Sequence, residues 1–178
     1  MRIYLVVTSV VTIRKEANKL KIVPFSERYR DPFIQFNKDW ILDNFGFLEQ
    51  EDLNTFEKIE DELKAGAMIF IAVDEQEEAV ACCMTRPLSD GRWELCKFAS
   101  NKNRSHKGAG CAVFEATINY AISHGAAELF LLSNSKLKPA MHIYQKYGFH
   151  EIKLNNYEYE RGNIAFLRTV KGESDNEE

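Results

Sequence analysis

Apolar residues along this chain repeat with two periods, one suited to strands and one to helices. In residues 19–24 lysines alternate with apolar side chains, as in a half-buried strand. Over residues 26–44, Phe33, Phe36, Trp40 and Ile41 recur at helical spacing. That aromatic stripe predicts a core-facing helix, and Trp40, with Phe45 and Phe47 just beyond, falls where the helix end can border a cleft. Residues 51–64 repeat the helical period with Leu53, Phe56, Ile59 and Leu63 on one face and stop before Gly66. The rest of that helix is charged and is expected to face solvent. Residues 67–73 (AMIFIAV) and 79–85 (AVACCMT), joined by a polar turn at 74–77, read as a buried antiparallel hairpin. A loop with Pro87 and Asp90-Gly91 leads to a third strand at 93–99.

A polar loop at 100–107 follows, and then a helix whose apolar positions Cys111, Phe114, Ile118 and Ile122 lie three or four apart. Gly125 ends it, and 128–133 (ELFLLS) is a short apolar strand. Strand, helix, strand in this order implies a parallel pair with a crossover helix. After the loop 134–138, Pro139 pre-sets a helix at 140–147 that Gly148 caps. Strands at 149–154 and 163–170 close the chain, joined by the polar, aromatic segment 155–162. The expected fold is therefore α/β, a mixed and mostly antiparallel sheet with helices on both faces, in one domain at 19–170. Residues 1–18 read as an N-terminal extension, either an extra strand or a stretch from an upstream start codon, and carry no expected chemistry. Residues 171–178 (KGESDNEE) lack any apolar side chain and are expected to be disordered.

The totals narrow the function classes. The 178 residues suit one domain with a sizeable core, and 45% hydrophobic with 28% charged residues is an ordinary globular balance. A net charge of -4 and a pI of about 5.7 argue against nucleic acid as partner. The apolar run at 3–11 is too short to span a membrane and has no small-residue cleavage site, so no membrane role is expected. Cys82, Cys83, Cys96 and Cys111 have no zinc-ligand spacing and lie in apolar segments, which reads as buried thiols in a reducing cytoplasm. The four histidines show no helical pairing, and no metal is expected.

The chemistry concentrates where the third strand gives way to the glycine turn. Lys107-Gly108-Ala109-Gly110 opens directly into the helix. Glycines there let a ligand approach the backbone, and the first helical turn offers unpaired N–H groups with partial positive charge, a site for phosphate. A Walker loop needs Gly-Lys followed by Ser or Thr, and here Lys107 precedes its glycine. A dinucleotide fingerprint needs a third glycine where Val113 stands and a strand ending at the first one. Neither pattern is met. On the glycines alone, a phosphate site and a merely tight helix entrance remain equally open.

Taken in order, Glu94-Leu-Cys-Lys-Phe-Ala-Ser, the glycine turn, Leu132-Ser-Asn134, and Pro139-Ala-Met-His-Ile-Tyr144-Gln-Lys-Tyr-Gly148-Phe149 resemble the GNAT superfamily of N-acetyltransferases. The resemblance covers about residues 20–169. Its most specific parts are the glycine turn and the Ala-x-x-x-Tyr-x-x-x-Gly-Phe ending. Tyr159-Glu-Arg161 also resembles a segment near the end of some bacterial members. Two positions depart from the pattern: Ser105 stands where Arg or Gln is usual, and Leu137 where asparagine is frequent.

The resemblance implies a splayed parallel strand pair that holds acetyl-CoA or another acyl-CoA, and an amine as acceptor. Backbone N–H groups of Lys107, Gly108, Ala109, Gly110 and Cys111 would take the pyrophosphate, with the charge of Lys107 or Arg104 nearby. Strand backbone at Lys97, Phe98 and Ala99 would pair with the amide-bearing arm, and Asn134 stands at the end of the neighbouring strand. Glu94 is the candidate base, against a bland reading as a strand-edge charge, and Tyr144 the candidate acid, against core packing. Trp40, Phe45, Trp93, Tyr157, Tyr159 and Arg161 are candidates for the acceptor pocket. Arg161 would hold an acceptor carboxylate or pair with Glu158 or Glu160. A non-catalytic acyl-CoA-binding module stays open as a second reading, as does a homodimer.

Overall fold

The computed structural model describes residues 11–12, 20–104 and 106–170. The short strand β1, Val11–Thr12, lies within the expected extension at 1–18. The rest of that extension, the tail at 171–178 and Ser105 fall outside the described residues. β2, Lys21–Pro24, leads through a 3-10 turn into α1, Arg30–Phe45, which Gly46 caps in the left-handed region at φ 83°. α2, Gln50–Glu57, and α3, Ile59–Lys64, stand where one helix was expected. The break falls at Lys58, which leaves helical geometry with φ -111° and ψ 27°. Nothing in the apolar period marks it.

β3, Met68–Val73, β4, Ala79–Pro87, and β5, Trp93–Ser100, form the expected meander. α4, Ala109–Ser123, crosses over to β6, Glu128–Ser133. α5, Lys138–Lys146, β7, His150–Ile152, and β8, Ile164–Thr169, complete the chain. The eight strands make one sheet in the order β1-β2-β3-β4-β5-β6-β8-β7, so the last strand inserts beside β6 and leaves β7 at the edge. Every neighbouring pair is antiparallel except β5 and β6.

Alternation along β5 divides its side chains between two cores. Trp93 and Leu95 join α4, α5, Leu129, Leu131 and Phe166 on one face. Cys96 and Ala99 join α1 to α3, with Phe33, Phe56, Ile59 and Ile71, on the other. Helices therefore cover both faces. Phe33, Phe114 and Phe166 are essentially inaccessible to solvent, each stabilising the fold by about 1.5–3 kcal/mol through burial. No described helix is long and apolar enough to cross a membrane.

Candidate active site

The parallel seam is short. β5 and β6 pair only at Trp93–Leu129 and Glu94–Phe130, although β5 runs on to Ser100 and β6 to Ser133. β5 is bent away by a bulge: Cys82 pairs with Ala99 and Met84 with Cys96, so Lys97 and Phe98 together oppose Cys83. Lys97 adopts φ 50°, a left-handed conformation that costs a non-glycine residue about 1–2 kcal/mol. Beyond Glu94 and through the bulge the strands stay apart, and a cleft of about 480 Å³ opens between them, a size suited to a small ligand. Its walls come from β5, the end of β6, α1, α5 and the segment carrying Tyr159 and Arg161.

What holds Lys97 in place is a buried ion cluster. Its Nζ donates to Asp52 Oδ1 at 2.7 Å and to the Tyr159 hydroxyl at 3.3 Å, and it lies over the Phe56 ring. Arg161 grips the same carboxylate with two nitrogens, at 2.6 and 2.7 Å, and reaches Glu49 at 3.1 Å. Asp52 is wholly inaccessible to solvent. The expected solvated acidic face of its helix is thus corrected at this position. Two cations need a buried counter-charge, and Asp52 shares the helical face of Phe56, Ile59 and Leu63. Arg161 pairs with neither Glu158 nor Glu160; its carboxylate partners are Asp52 and Glu49.

Glu94 lines the cleft with its side chain only 3% exposed. Oε2 accepts a hydrogen bond from Arg86 Nε at 2.8 Å, and Arg86 also reaches Glu62 at 3.2 Å. Oε1 has no hydrogen-bond partner among the described residues. Burial raises the Glu94 pKa above the ordinary glutamate range, with the Arg86 charge and hydrogen bond opposing that rise. Glu94 is therefore neither an edge charge nor a free one.

On the opposite wall, the Tyr144 ring is packed between Phe114 and Phe166. Burial pushes its hydroxyl up to about 12, with the Ser133 hydroxyl pulling the other way. The Tyr144 hydroxyl makes no hydrogen bond of ordinary geometry among the described residues. Asn134 is a staple between segments: Nδ2 donates to the Arg161 carbonyl at 2.6 Å, and Oδ1 accepts from the Lys136 amide at 3.0 Å.

The glycine turn sits at the mouth of α4. Gly108 is its N-cap, at φ 86°, with open space where a Cβ would stand. The Ala109 amide bonds the His106 carbonyl and the Ala112 amide bonds Gly108, whereas the amides of Gly110 and Cys111 have no partner among the described residues. Lys107 is exposed beside them. Arg104 is turned elsewhere. It pairs with Asp74 and donates to Gln76 Oε1 at 2.6 Å. Asp74, nearly buried in the β3–β4 turn and already accepting the Gln76 and Glu78 amides, requires that cation. At Gly110 a Cβ would meet the Phe98 ring at 3.4 Å, so this glycine lets the helix lie close on β5.

Of the aromatic candidates, Trp40, Phe45 and Tyr159 line the cleft with Arg161. Trp93 packs instead against Tyr120 and His124 on the α4 face, and Tyr157 lies beside Gly162 outside the lining. Asp52, Glu49 and Arg86 were not singled out from the sequence as site residues. For Asp52 the signal was an acid at an apolar-stripe position; Glu49 and Arg86 carry none that is local.

Residues 29–149 match the model of the acetyltransferase (GNAT) family. No curated protein matches the chain. Among solved structures, an acetyltransferase of the GNAT family from Staphylococcus aureus Mu50 superposes with a TM-score of 0.74 at 20% identity, over 85% of this chain and 99% of that one. PaiA N-acetyltransferase from Thermoplasma acidophilum, in complex with coenzyme A, gives 0.67 at 13% identity over 85% and 99%. Ribosomal-protein-alanine N-acetyltransferase from Brucella melitensis gives 0.68 at 13% identity over 84% and 99%.

Proposed function

The chain belongs to the GNAT acetyltransferase family, and from that premise we propose that it moves an acetyl group from acetyl-CoA to a primary amine by direct attack, with both substrates bound together. The observation that carries this is the opened β5–β6 seam. One cleft holds a bulged strand edge, a carboxylate of raised pKa and a phenol, and α4, which lends Phe114 to its lining, begins at a turn whose Gly110 and Cys111 amides have no partner among the described residues.

Gly110 and Cys111 amides, at the positive end of α4, suit a diphosphate, with Lys107 supplying charge. The ladder positions of β5 left without a β6 partner suit an extended, amide-bearing arm. Acetyl-CoA would supply the activated thioester. Glu94, kept anionic by Arg86 yet made more basic by burial, takes the proton from the attacking amine, directly or through a water. Tyr144 gives its proton to the departing sulfur. Trp40, Phe45 and Tyr159 form an apolar wall for the acceptor. Arg161, already neutralised by Asp52 and Glu49, does not select for an acceptor carboxylate.

Titration calorimetry with CoA, together with a panel of small amines and peptide N-termini assayed for CoA release, tests the reading. Micromolar binding with turnover on at least one amine is expected. Binding without turnover on any of them would favour the acyl-CoA-binding module, and no binding would remove both.

A further inference from the structure

At the cleft end of β6, the Ser133 hydroxyl oxygen is buried and has no hydrogen-bond partner of ordinary geometry among the described residues. A buried hydroxyl left unpaired costs about 1–3 kcal/mol in general, and native interiors keep few of them. Ser133 lies in the same wall as Tyr144, whose own hydroxyl lacks a partner of ordinary geometry. Its backbone is fixed, since the Ser133 carbonyl accepts the Asn163 amide at 3.1 Å and the residue pairs with Ile164 across β8. The two residues thus share one wall of the cleft, Ser133 on fixed backbone and the Tyr144 ring between Phe114 and Phe166, with the Ser133 hydroxyl near enough to favour the ionised tyrosine oxygen.

We propose that Ser133 is a positioning residue for Tyr144, turning its O–H onto the tyrosine oxygen as that oxygen loses its proton. The inference rests on the transfer reading of this cleft. The amine lone pair forms the new C–N bond and the C–S bond breaks with its electron pair on sulfur. The Tyr144 proton passes to that sulfur and leaves a phenolate, which accepts the Ser133 hydrogen bond. The proton taken from the amine by Glu94 returns to the phenolate through solvent, so no net proton is gained or lost. A hydrogen bond to an ionised oxygen is about twice as strong as one between neutral groups. Tyr144 needs that help: its pKa is pushed up to about 12, whereas an ordinary thiol titrates near 8.5. Unaided, the transfer is unfavourable by a factor of roughly 10³ or more.

The test compares Ser133→Ala with Ser133→Thr, which keeps a hydroxyl on a strand position. Alkaline spectrophotometric titration of each protein, taken as the difference from its Tyr144→Phe derivative, reports the Tyr144 phenol without requiring turnover. Ser133→Ala is expected to raise that titration by about one pH unit and lower kcat about tenfold, with the KM for acetyl-CoA unchanged. Ser133→Thr should restore both. Combined with Tyr144→Phe, Ser133→Ala should slow the enzyme no further. A Tyr144 titration that stays in place in Ser133→Ala, or a double variant slower by the full Ser133 factor, overturns the proposal. Wild-type protein that binds CoA but acetylates nothing overturns the transfer reading instead, so the two failures are distinct.

Discussion

The Lys97 ammonium lies 2.7 Å from the Asp52 carboxylate, joining β5 to α2 across 45 residues of chain with both side chains shielded from water. Arg161 takes the other side of the same carboxylate. One acid therefore fixes the bulge that opens the cleft and the segment that walls it.

Removing Asp52 leaves two buried cations with too little counter-charge, so Asp52→Ala should destabilise the fold by about 3–5 kcal/mol. Burial alone would raise the Asp52 pKa, yet the Arg161 and Lys97 hydrogen bonds and charges outweigh it and hold the carboxyl below its usual range. The folded state thus favours the ionised form. That stabilisation is complete above the unfolded pKa of about 3.9 and is lost as pH falls below it. Melting temperature measured against pH should fall more steeply below about pH 4 in the wild type than in Asp52→Asn. Parallel curves would remove Asp52 as the source.

Glu94→Gln keeps the shape of the side chain and removes its capacity to take a proton. Turnover should fall about 10² to 10⁴-fold with CoA affinity unchanged. Because Glu94 must be ionised to act and burial has raised its pKa, kcat/KM should decline on acidification at a pH above the ordinary glutamate range. That limb should vanish in the variant. An acid limb that persists in Glu94→Gln belongs to another group.

Tyr144→Phe deletes one hydroxyl and keeps the ring between Phe114 and Phe166. Stability and CoA binding should stay near wild type while kcat drops about 10² to 10⁴-fold. Full turnover with an accepted amine would return Tyr144 to a packing role.

Gly108 is the better probe of the helix mouth. Its Cβ would meet nothing, but its φ of 86° is one a β-branched residue rarely adopts. Gly108→Val should cost the donor site more than tenfold in CoA affinity by calorimetry while leaving the circular dichroism unchanged. At Gly110, by contrast, valine would press on Phe98, and any loss would mix packing with binding.

Local pattern carried the sheet far. The meander, the crossover and the division of β5 between two cores follow from period-two alternation and one helical stretch. Tyr144 was legible because its motif is compact, and the turn because glycines mark it. The ion cluster was not. Asp52 and Arg161 are 109 residues apart, and helical period assigns an acid to the wet face unless its partner is known. The pairing of Arg104 with Asp74 was hidden for the same reason, since the two are 30 residues apart. The break at Lys58 has neither glycine nor proline to announce it.

The seam has a mechanical consequence. Strands β1 to β5 and strands β6 to β8 are laced together by just two residue pairs, so main-chain cohesion across the middle of the molecule is thin wherever the gap stands open. A guest that mimics a backbone would knit the two panels into one fabric. Deuterium uptake along residues 95–98 and 131–133 should then slow together when CoA is added, making occupancy of the gap readable as rigidity in both panels at once.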